Sequence, residues 1–330
     1  MRSSSAIAPP HVSRAEIAEI IETLSAELEE HAGEPRGDGT TSNRDRIMRR
    51  CNIATVLFAL AAVAGPVRLH AQAPERDSSF HPYHVNYWVT GGIIGVGAVT
   101  NYLGVAHIGS KAAVSTAELQ ALDKNLVNSF DRWALNLNPT NLDAFKDWSN
   151  KTLTATVLLP GVLLLDKQIR RDWLDMLLIY MESISITNNI YEWSFLGPSF
   201  QNKLRPVAYY PQLPASRTQI GTVRNSFYSG HTASAATATF LMAKMYSDYH
   251  PEIGDTKYLL YAAAAVPPLV VGYLRVRALE HFPSDVMVGL GVGAFVGILI
   301  PELHRVESKG VTLGLYSAPE STGLALSWRP

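Results

Sequence analysis

A cluster of charged and polar residues interrupts two long apolar runs near the end of the chain. The cluster covers residues 275–285, and the apolar runs cover residues 258–274 and 286–300. Charges between two buried helices are costly unless they are paired or used, so this cluster limits what the chain can fold into. The sequence predicts packed helices around a polar break, which is either a salt-bridged corner or part of a functional site.

Within this cluster, the residue types favour chemistry on an anion. His281 and Asp285 are four residues apart, so a helix that begins at Pro283 would place the carboxylate beneath the imidazole. A carboxylate on one ring nitrogen fixes the tautomer and leaves the other nitrogen free to attack or to carry a proton. Arg275 and Arg277 add guanidinium groups that suit phosphate oxygens. An ordinary salt-bridged corner is the alternative.

Composition excludes several classes of protein. The formal net charge is -1, which gives no electrostatic footprint for nucleic acid. The single cysteine, Cys51, excludes a disulfide framework and a cysteine-based metal site. Charged residues make up 17% of the chain, which is few for a soluble protein, whereas a mean hydropathy of +0.05 is low for a chain made mostly of membrane spans.

The first 73 residues differ in composition from the rest. Residues 1–47 are polar and partly typical of disorder, with one amphipathic helix predicted from a capping box. Residues 48–73 combine a basic start, a short apolar core and an Ala-x-Ala ending, which is typical of a secretory signal peptide. We interpret residues 1–47 as an extension upstream of the true start at Met48, and we expect a secreted or periplasmic protein. The alternative is an anchor at 48–73 or an integral membrane protein.

Helical periodicity dominates the domain that we assign to residues 74–303. Helices are predicted over residues 85–108, 113–136, 152–165, 173–191, 232–249, 257–275 and 284–303. Gly289, Gly293 and Gly297 recur every four residues, which predicts close packing of the last helix against a neighbour. The expected fold class is all-α, a bundle of about six core helices with the active site at helix ends. The tail, residues 304–330, alternates in the manner of a short β-hairpin.

Two further polar segments supply what the first cluster lacks. The run Ser229-Gly230-His231 precedes an Ala- and Thr-rich helix, whose first backbone N–H groups would bind an anion. His231 at that helix start could donate a proton to a departing oxygen. Lys203 and Arg205 place two cations in a loop before a proline. Together the segments contain a nucleophile, a proton donor and groups that hold an oxyanion without a metal.

These segments resemble the type 2 phosphatidic acid phosphatase and vanadium haloperoxidase superfamily. Its pattern is Lys, six residues, Arg-Pro; then Pro-Ser-Gly-His; then Ser-Arg, five residues, His, three residues, Asp. The chain follows this order at Arg205, at residues 229–231 and at residues 275–285, and the resemblance covers about residues 140–302. Three positions depart from the pattern, where lysine, proline and serine are replaced by Pro198, Tyr228 and Leu274.

The resemblance implies a role for each matched residue. His281 would be the nucleophile and form a phosphohistidine, Asp285 would orient it, and His231 would protonate the leaving oxygen. The phosphate oxygens would be bound by cations and by a helix start, namely by Arg205, Ser229, Gly230, Arg275 and Lys203. No metal is expected, and no cofactor unless the chain is a vanadate-dependent haloperoxidase.

The implied activity is hydrolysis of a phosphomonoester or diphosphate by an acid or lipid phosphatase-like enzyme. A vanadate-dependent haloperoxidase and a non-catalytic phosphate- or lipid-binding relative are the alternatives. The expected partners are a phosphate ester and a membrane, and not a nucleic acid; the sequence does not define the oligomeric state. Without the lysine at Pro198, activity is expected to fall roughly 10²-fold or more, at on the order of 2–4 kcal/mol per oxyanion contact.

Overall fold

The computed structural model describes residues 81–306, 311–318 and 321–328. The predicted extension and the predicted signal peptide or anchor lie outside these ranges. The described α-helices, in chain order, are α1 (Tyr87–Gly109), α2 (Thr116–Gln120), α3 (Ser129–Arg132), α4 (Leu142–Leu158), α5 (Trp173–Trp193), α6 (Ala215–Thr218), α7 (Gly230–Tyr249), α8 (Lys257–Ala264), α9 (Val266–Arg277) and α10 (Pro283–Leu303). The fold is the predicted all-α bundle.

Helix α7 lies at the centre of the bundle, and most of its Ala- and Thr-rich sequence is buried. Helix α10 packs along it through Gly289, Gly293 and Gly297. A Cβ at any of these glycines would overlap the backbone of α7 or of Ser229, the residue that caps it. The close packing predicted from the four-residue repeat is therefore confirmed, and it fixes the start of α10 beside the start of α7.

The polar ends of four long helices meet at one end of the bundle. Helices α5 and α9 finish there, and α7 and α10 begin there, because successive long helices run in opposite directions. The Ser229 amide donates to the Asp285 carbonyl over 3.0 Å, and Gly230 lies against the Tyr191 ring. All three sequence motifs are thereby brought to the same end of the molecule.

Two predicted helices differ from the observed ones. Residues 113–136 form the short helices α2 and α3 with 3₁₀ turns, because polar side chains at 115, 123 and 128 cap each turn. The helix predicted over 152–165 instead begins at Leu142, and residues 159–165 continue as 3₁₀ helix. Its first turns lack the apolar period because their polar side chains face the candidate site.

The last predicted long helix before residue 275 is divided in two. Helix α8 ends at Ala264, and α9 begins with Pro267 and Pro268 in its first turn. Proline is tolerated there because first-turn amides have no intrahelical acceptor. In the tail, strands β1 (Val311–Ala318) and β2 (Ser321–Trp328) pair antiparallel, with Val311 opposite Trp328, at the position of the predicted hairpin.

Three segments in the described ranges are long and apolar enough to cross a membrane. They are α1, Pro251–Arg277 and α10, and the pair α4–α5, bent by 114°, would add a fourth if it acts as one span. The 23 residues of α1 reach about 34 Å, enough for a hydrocarbon core of about 30 Å. Large apolar side chains on α1 are exposed, including Val96 at 67%. The described residues therefore favour the integral-membrane alternative over the expected secreted soluble domain.

Candidate active site

The turn between α9 and α10 carries the central residues of the site. Leu279 has φ 57°, a left-handed conformation that is strained for a branched side chain, and it is fully buried. The Val207 amide donates to the Leu279 carbonyl over 3.2 Å and helps to hold this turn. The next two residues, Glu280 and His281, are also buried. Such strain is typical of a functional turn that the surrounding structure holds in place.

The His281 imidazole is held in one tautomer by a backbone carbonyl. Its Nδ1 lies 2.7 Å from the Ser226 carbonyl oxygen, which only accepts, so Nδ1 carries the hydrogen and Nε2 keeps its lone pair. Burial, with Arg275 and Arg205 nearby, holds the pKa of His281 well below its ordinary value. His281 is therefore a neutral imidazole at pH 7, as a nucleophile requires.

Asp285 does not take the place beneath His281 that the spacing predicted. Its carboxylate accepts from Ser226 Oγ at 2.6 Å and from the Phe282 amide at 2.8 Å, and it pairs with Lys203. The predicted direct pair is wrong in this geometry, because Asp285 instead accepts from the Phe282 backbone amide at the start of α10. Its connection to His281 runs through Ser226, which binds Asp285 by its side chain and His281 by its carbonyl.

Lys203 is turned away from a phosphate-binding role. Its Nζ lies 2.7 Å from Asp285 Oδ1 and 3.3 Å from Asp131 Oδ2. Asp131 also accepts from the Ser284 amide at 2.8 Å and is fully buried. Two carboxylates around one ammonium leave no free positive charge, so the predicted phosphate contact from Lys203 is corrected to an ion pair that holds the start of α10.

Four charged side chains form the cation cluster: Lys146, Arg205, Arg275 and Glu280. Glu280 Oε1 lies 2.9 Å from Lys146 Nζ. The other oxygen of Glu280 pairs with Arg205 and lies 3.4 Å from an Arg275 nitrogen. Three positive charges thus surround one negative charge.

The cation cluster has the electrostatics of an anion site. Burial alone would raise the pKa of Glu280, but the charges of Arg205, Arg275 and Lys146 outweigh it and hold that pKa well below the ordinary range. With Glu280 ionised, the formal charges sum to +2. The Nε groups of Arg205 and Arg275 are buried without a hydrogen-bond partner among the described residues. Charge and spare donors together suit a dianion.

The start of α7 places the second histidine beside this cluster. Ser229 caps the helix, and its hydroxyl accepts from Thr232 Oγ1 at 2.9 Å, so its side chain is already engaged. The first-turn amides of Gly230 and His231 have no intrahelical acceptor and can bind an anion. Burial, with the charge of Arg275, lowers the pKa of His231 to about 3.

One face of α4 forms a wall of the site that the sequence did not predict. His231 Nε2 lies 3.1 Å from Asn150 Oδ1, and an Arg275 nitrogen lies 3.4 Å from Ser149 Oγ. With Lys146 these residues are spaced i, i+3 and i+4, which is one helical face. That polar spacing was the available signal, but the predicted helix began only at residue 152.

A cavity of about 210 Å³ opens beside the cation cluster. Its polar lining includes Lys146, Arg205, Glu280 and Thr222, and apolar side chains such as Leu142 line the rest. Among the residues that the structure describes, no group of three or more His, Cys, Asp and Glu side chains could hold a metal ion.

Two comparisons with known proteins found a similarity. Residues 173–308 match the PAP2 superfamily, and this segment contains all three sequence motifs. A solved transmembrane PAP2-type phosphatidylglycerolphosphate phosphatase from Bacillus subtilis is similar at 18% identity, with a TM-score of 0.36, over 64% of this chain and 93% of that chain. No curated protein matches the chain significantly. The similarity to the PAP2 superfamily thus covers residues 173–308, the segment that carries His231, His281 and Asp285.

Proposed function

We propose that the protein is a membrane-embedded phosphatase that hydrolyses a phosphate ester through a phosphohistidine on His281. The observation that carries the proposal is the +2 cation cluster beside two histidines of low pKa. A phosphate dianion matches that charge, and its three terminal oxygens match donors that approach from several helices. Electrostatic stabilisation of the transferring group requires no metal in this arrangement.

In the first step, His281 Nε2 attacks phosphorus, and the bond from phosphorus to the leaving oxygen breaks. The lone pair of Nε2 forms the new P–N bond, while the Ser226 carbonyl stabilises the positive charge that develops on the ring. His231 gives a proton to the leaving oxygen, which departs as an alcohol. Arg205 and Arg275 hold the equatorial oxygens.

In the second step, water attacks the phosphorus and the P–N bond breaks. His231, now neutral, takes a proton from that water, and His281 recovers its lone pair. The low pKa of His231 favours this base role in the free protein. Substrate phosphate adds negative charge beside His231 and raises its pKa, so the proton needed in the first step is bound together with the substrate.

A lipid phosphate is the proposed class of substrate. The apolar helices α1, α8–α9 and α10 suit a bilayer, and exposed Trp88 and Trp148 suit its interfaces. The candidate active site lies where α5 and α9 end and α7 and α10 begin, which places it at a membrane surface if these helices span. A lipid headgroup lies at that depth.

The function is tested with purified full-length protein in detergent, assayed for phosphate release from phosphatidic acid, a lipid diphosphate and soluble phosphomonoesters. We expect turnover with a preference for the lipid substrates, in the presence of EDTA. Thermal stabilisation by inorganic phosphate without any turnover would instead assign a non-catalytic phosphate-binding role. Halide oxidation by peroxide that appears only with added vanadate would assign a haloperoxidase.

The activity is expected to rise as the pH is lowered from 8 to 5. His281 stays neutral over this range because its pKa lies well below 6.5, whereas the protonated fraction of His231, with a pKa of about 3, grows as pH falls. kcat/KM reports groups of the free enzyme and the free substrate, so its increase approaches about tenfold per pH unit down to about pH 6, below which the substrate dianion itself binds a proton and the increase levels off. A kcat/KM that falls below pH 7 would show that His281 becomes protonated, which contradicts the assignment.

Replacement of His231 by asparagine is expected to slow hydrolysis of alkyl phosphates by about 10²–10⁴-fold, because the proton donor is lost. 4-Nitrophenyl phosphate should be affected far less, because its leaving group departs without a proton. The measurement compares kcat/KM, which reports formation of the phosphohistidine and not its later hydrolysis by water, for the two substrates in wild type and H231N. His84→Asn, at an exposed histidine, is the matched control. Equal losses on both substrates would show that His231 is not the proton donor.

A further inference from the structure

One position of the family pattern lacks its cation in this chain. Pro198 occupies the place of the motif lysine and is buried in the turn after α5. The nearby Lys203 is engaged by Asp131 and Asp285. Each donor that faces a transferring phosphoryl group contributes to its stabilisation, so a site with Arg205 and Arg275 alone would be one cation short.

We infer that Lys146 of α4 replaces the motif lysine and binds the substrate phosphate together with Arg205 and Arg275. This inference rests on the proposed phosphatase function for its catalytic consequence. Lys146 lies outside residues 173–308, the segment that matches the family. The third cation of the site is therefore supplied by a helix that the family pattern does not include.

The geometry of Glu280 supports this assignment. Lys146 Nζ contacts one carboxylate oxygen over 2.9 Å, and both arginines contact the other. The three cations therefore converge within the width of a single small anion. The oxygens of a phosphate group can replace those of the carboxylate once the Glu280 side chain turns aside.

Helix α4 is attached to the site at two further points. Ser149 lies 3.4 Å from an Arg275 nitrogen, and Asn150 lies 3.1 Å from His231 Nε2. Lys146 shares their helical face, so its position relative to the arginine and the histidine is fixed by the same packing. About half of its side chain is exposed, which lets the ammonium follow an incoming anion.

The test compares Lys146→Met and Lys146→Arg with Lys151→Met, a matched control five residues further along α4. Lys151 pairs with Asp147 and has no contact with the cation cluster. The dissociation constant of inorganic phosphate is measured by calorimetry on the full-length protein in detergent, and kcat/KM is measured on a phosphomonoester. K146M should weaken phosphate binding by about tenfold and lower kcat/KM by about 10–10²-fold, at the low end for one donor because Lys146 is half exposed. K146R should recover most of the phosphate affinity and most of kcat/KM. K151M should match wild type in both quantities.

Lys146 could act by binding phosphate directly or only by holding the Glu280 side chain in place. The Glu280→Gln background distinguishes these two roles. E280Q should itself bind phosphate several-fold more tightly, because it removes the competing carboxylate. K146M should still weaken phosphate binding in the E280Q background. If K146M has no effect there, or if K146M binds phosphate like wild type, Lys146 is not a phosphate ligand.

The binding measurement also keeps this inference distinct from the proposed function. If wild type binds phosphate and K146M weakens binding, but neither hydrolyses any ester, Lys146 is a ligand and the phosphatase function is wrong. If wild type hydrolyses esters and K146M is unchanged in both measurements, the function stands and the role of Lys146 is overturned. Wild type that binds no phosphate at all overturns the inference as well.

Discussion

His281→Ala is expected to abolish phosphatase activity, with kcat at least about 10⁴-fold below wild type, because the proposed covalent intermediate forms on this side chain. The measurement combines phosphate release with rapid quenching on a radiolabelled substrate. Wild type should yield a phosphoprotein that is stable in alkali and labile in acid, as a phosphoramidate is. H281A should yield none.

Two variants accompany this experiment. His281→Gln keeps a side chain of similar reach in the buried site and should be equally inactive, which covers the case in which alanine disturbs folding. His84→Ala, at an exposed histidine, should retain full activity and the phosphoprotein. Trapped phosphoprotein in either His281 variant would place the nucleophile elsewhere.

Asp285→Ala is expected to produce the largest loss of stability, about 3–5 kcal/mol in the free energy of unfolding. The change removes the closest carboxylate from Lys203 and leaves Ser226 Oγ and the Phe282 amide without their buried acceptor. Unfolding in detergent is monitored by heat or denaturant. Asp255→Ala, at an exposed aspartate, is the control and should change stability little.

The same position also tests how His281 is oriented. Because Asp285 reaches His281 through Ser226, Ser226→Ala should lower kcat as well as stability, by a smaller amount than D285A. If Asp285 instead contacted His281 directly, the Ser226 hydroxyl would not affect kcat. In that case Asp285→Asn would lose activity while S226A would match wild type, and the relay through Ser226 would be wrong.

The residues that could be predicted are those that belong to local patterns. A serine and a glycine before an Ala-rich run define the start of α7, and Pro283 defines the start of α10, so both histidines could be assigned to helix ends. The glycine repeat predicted the packing of α10 because backbone contact requires small side chains at a fixed period.

The residues that could not be predicted act through partners far away in the sequence. Lys203 was expected to bind phosphate, but Asp131, 72 positions earlier, engages it instead. Asp285 was expected to touch His281, but its carboxylate accepts from the Ser226 hydroxyl instead. A charge pairs with whichever opposite charge the packing brings within a few ångströms, and no periodicity in the sequence records that distance.

The sequence predicted the helical fold and a site at helix ends, because capping, periodicity and small-residue spacing are local properties of a chain. The candidate roles of His281, His231, Arg205 and Arg275 were implied by the resemblance to a family pattern. The contacts between distant side chains depend on how α4 packs against the site. This packing set Lys146 against Glu280 and Asn150 against His231, and it showed which cations are free to meet a phosphate. Such pairings exist only once the helices have packed, since each depends on atoms that the chain brings together from distant segments.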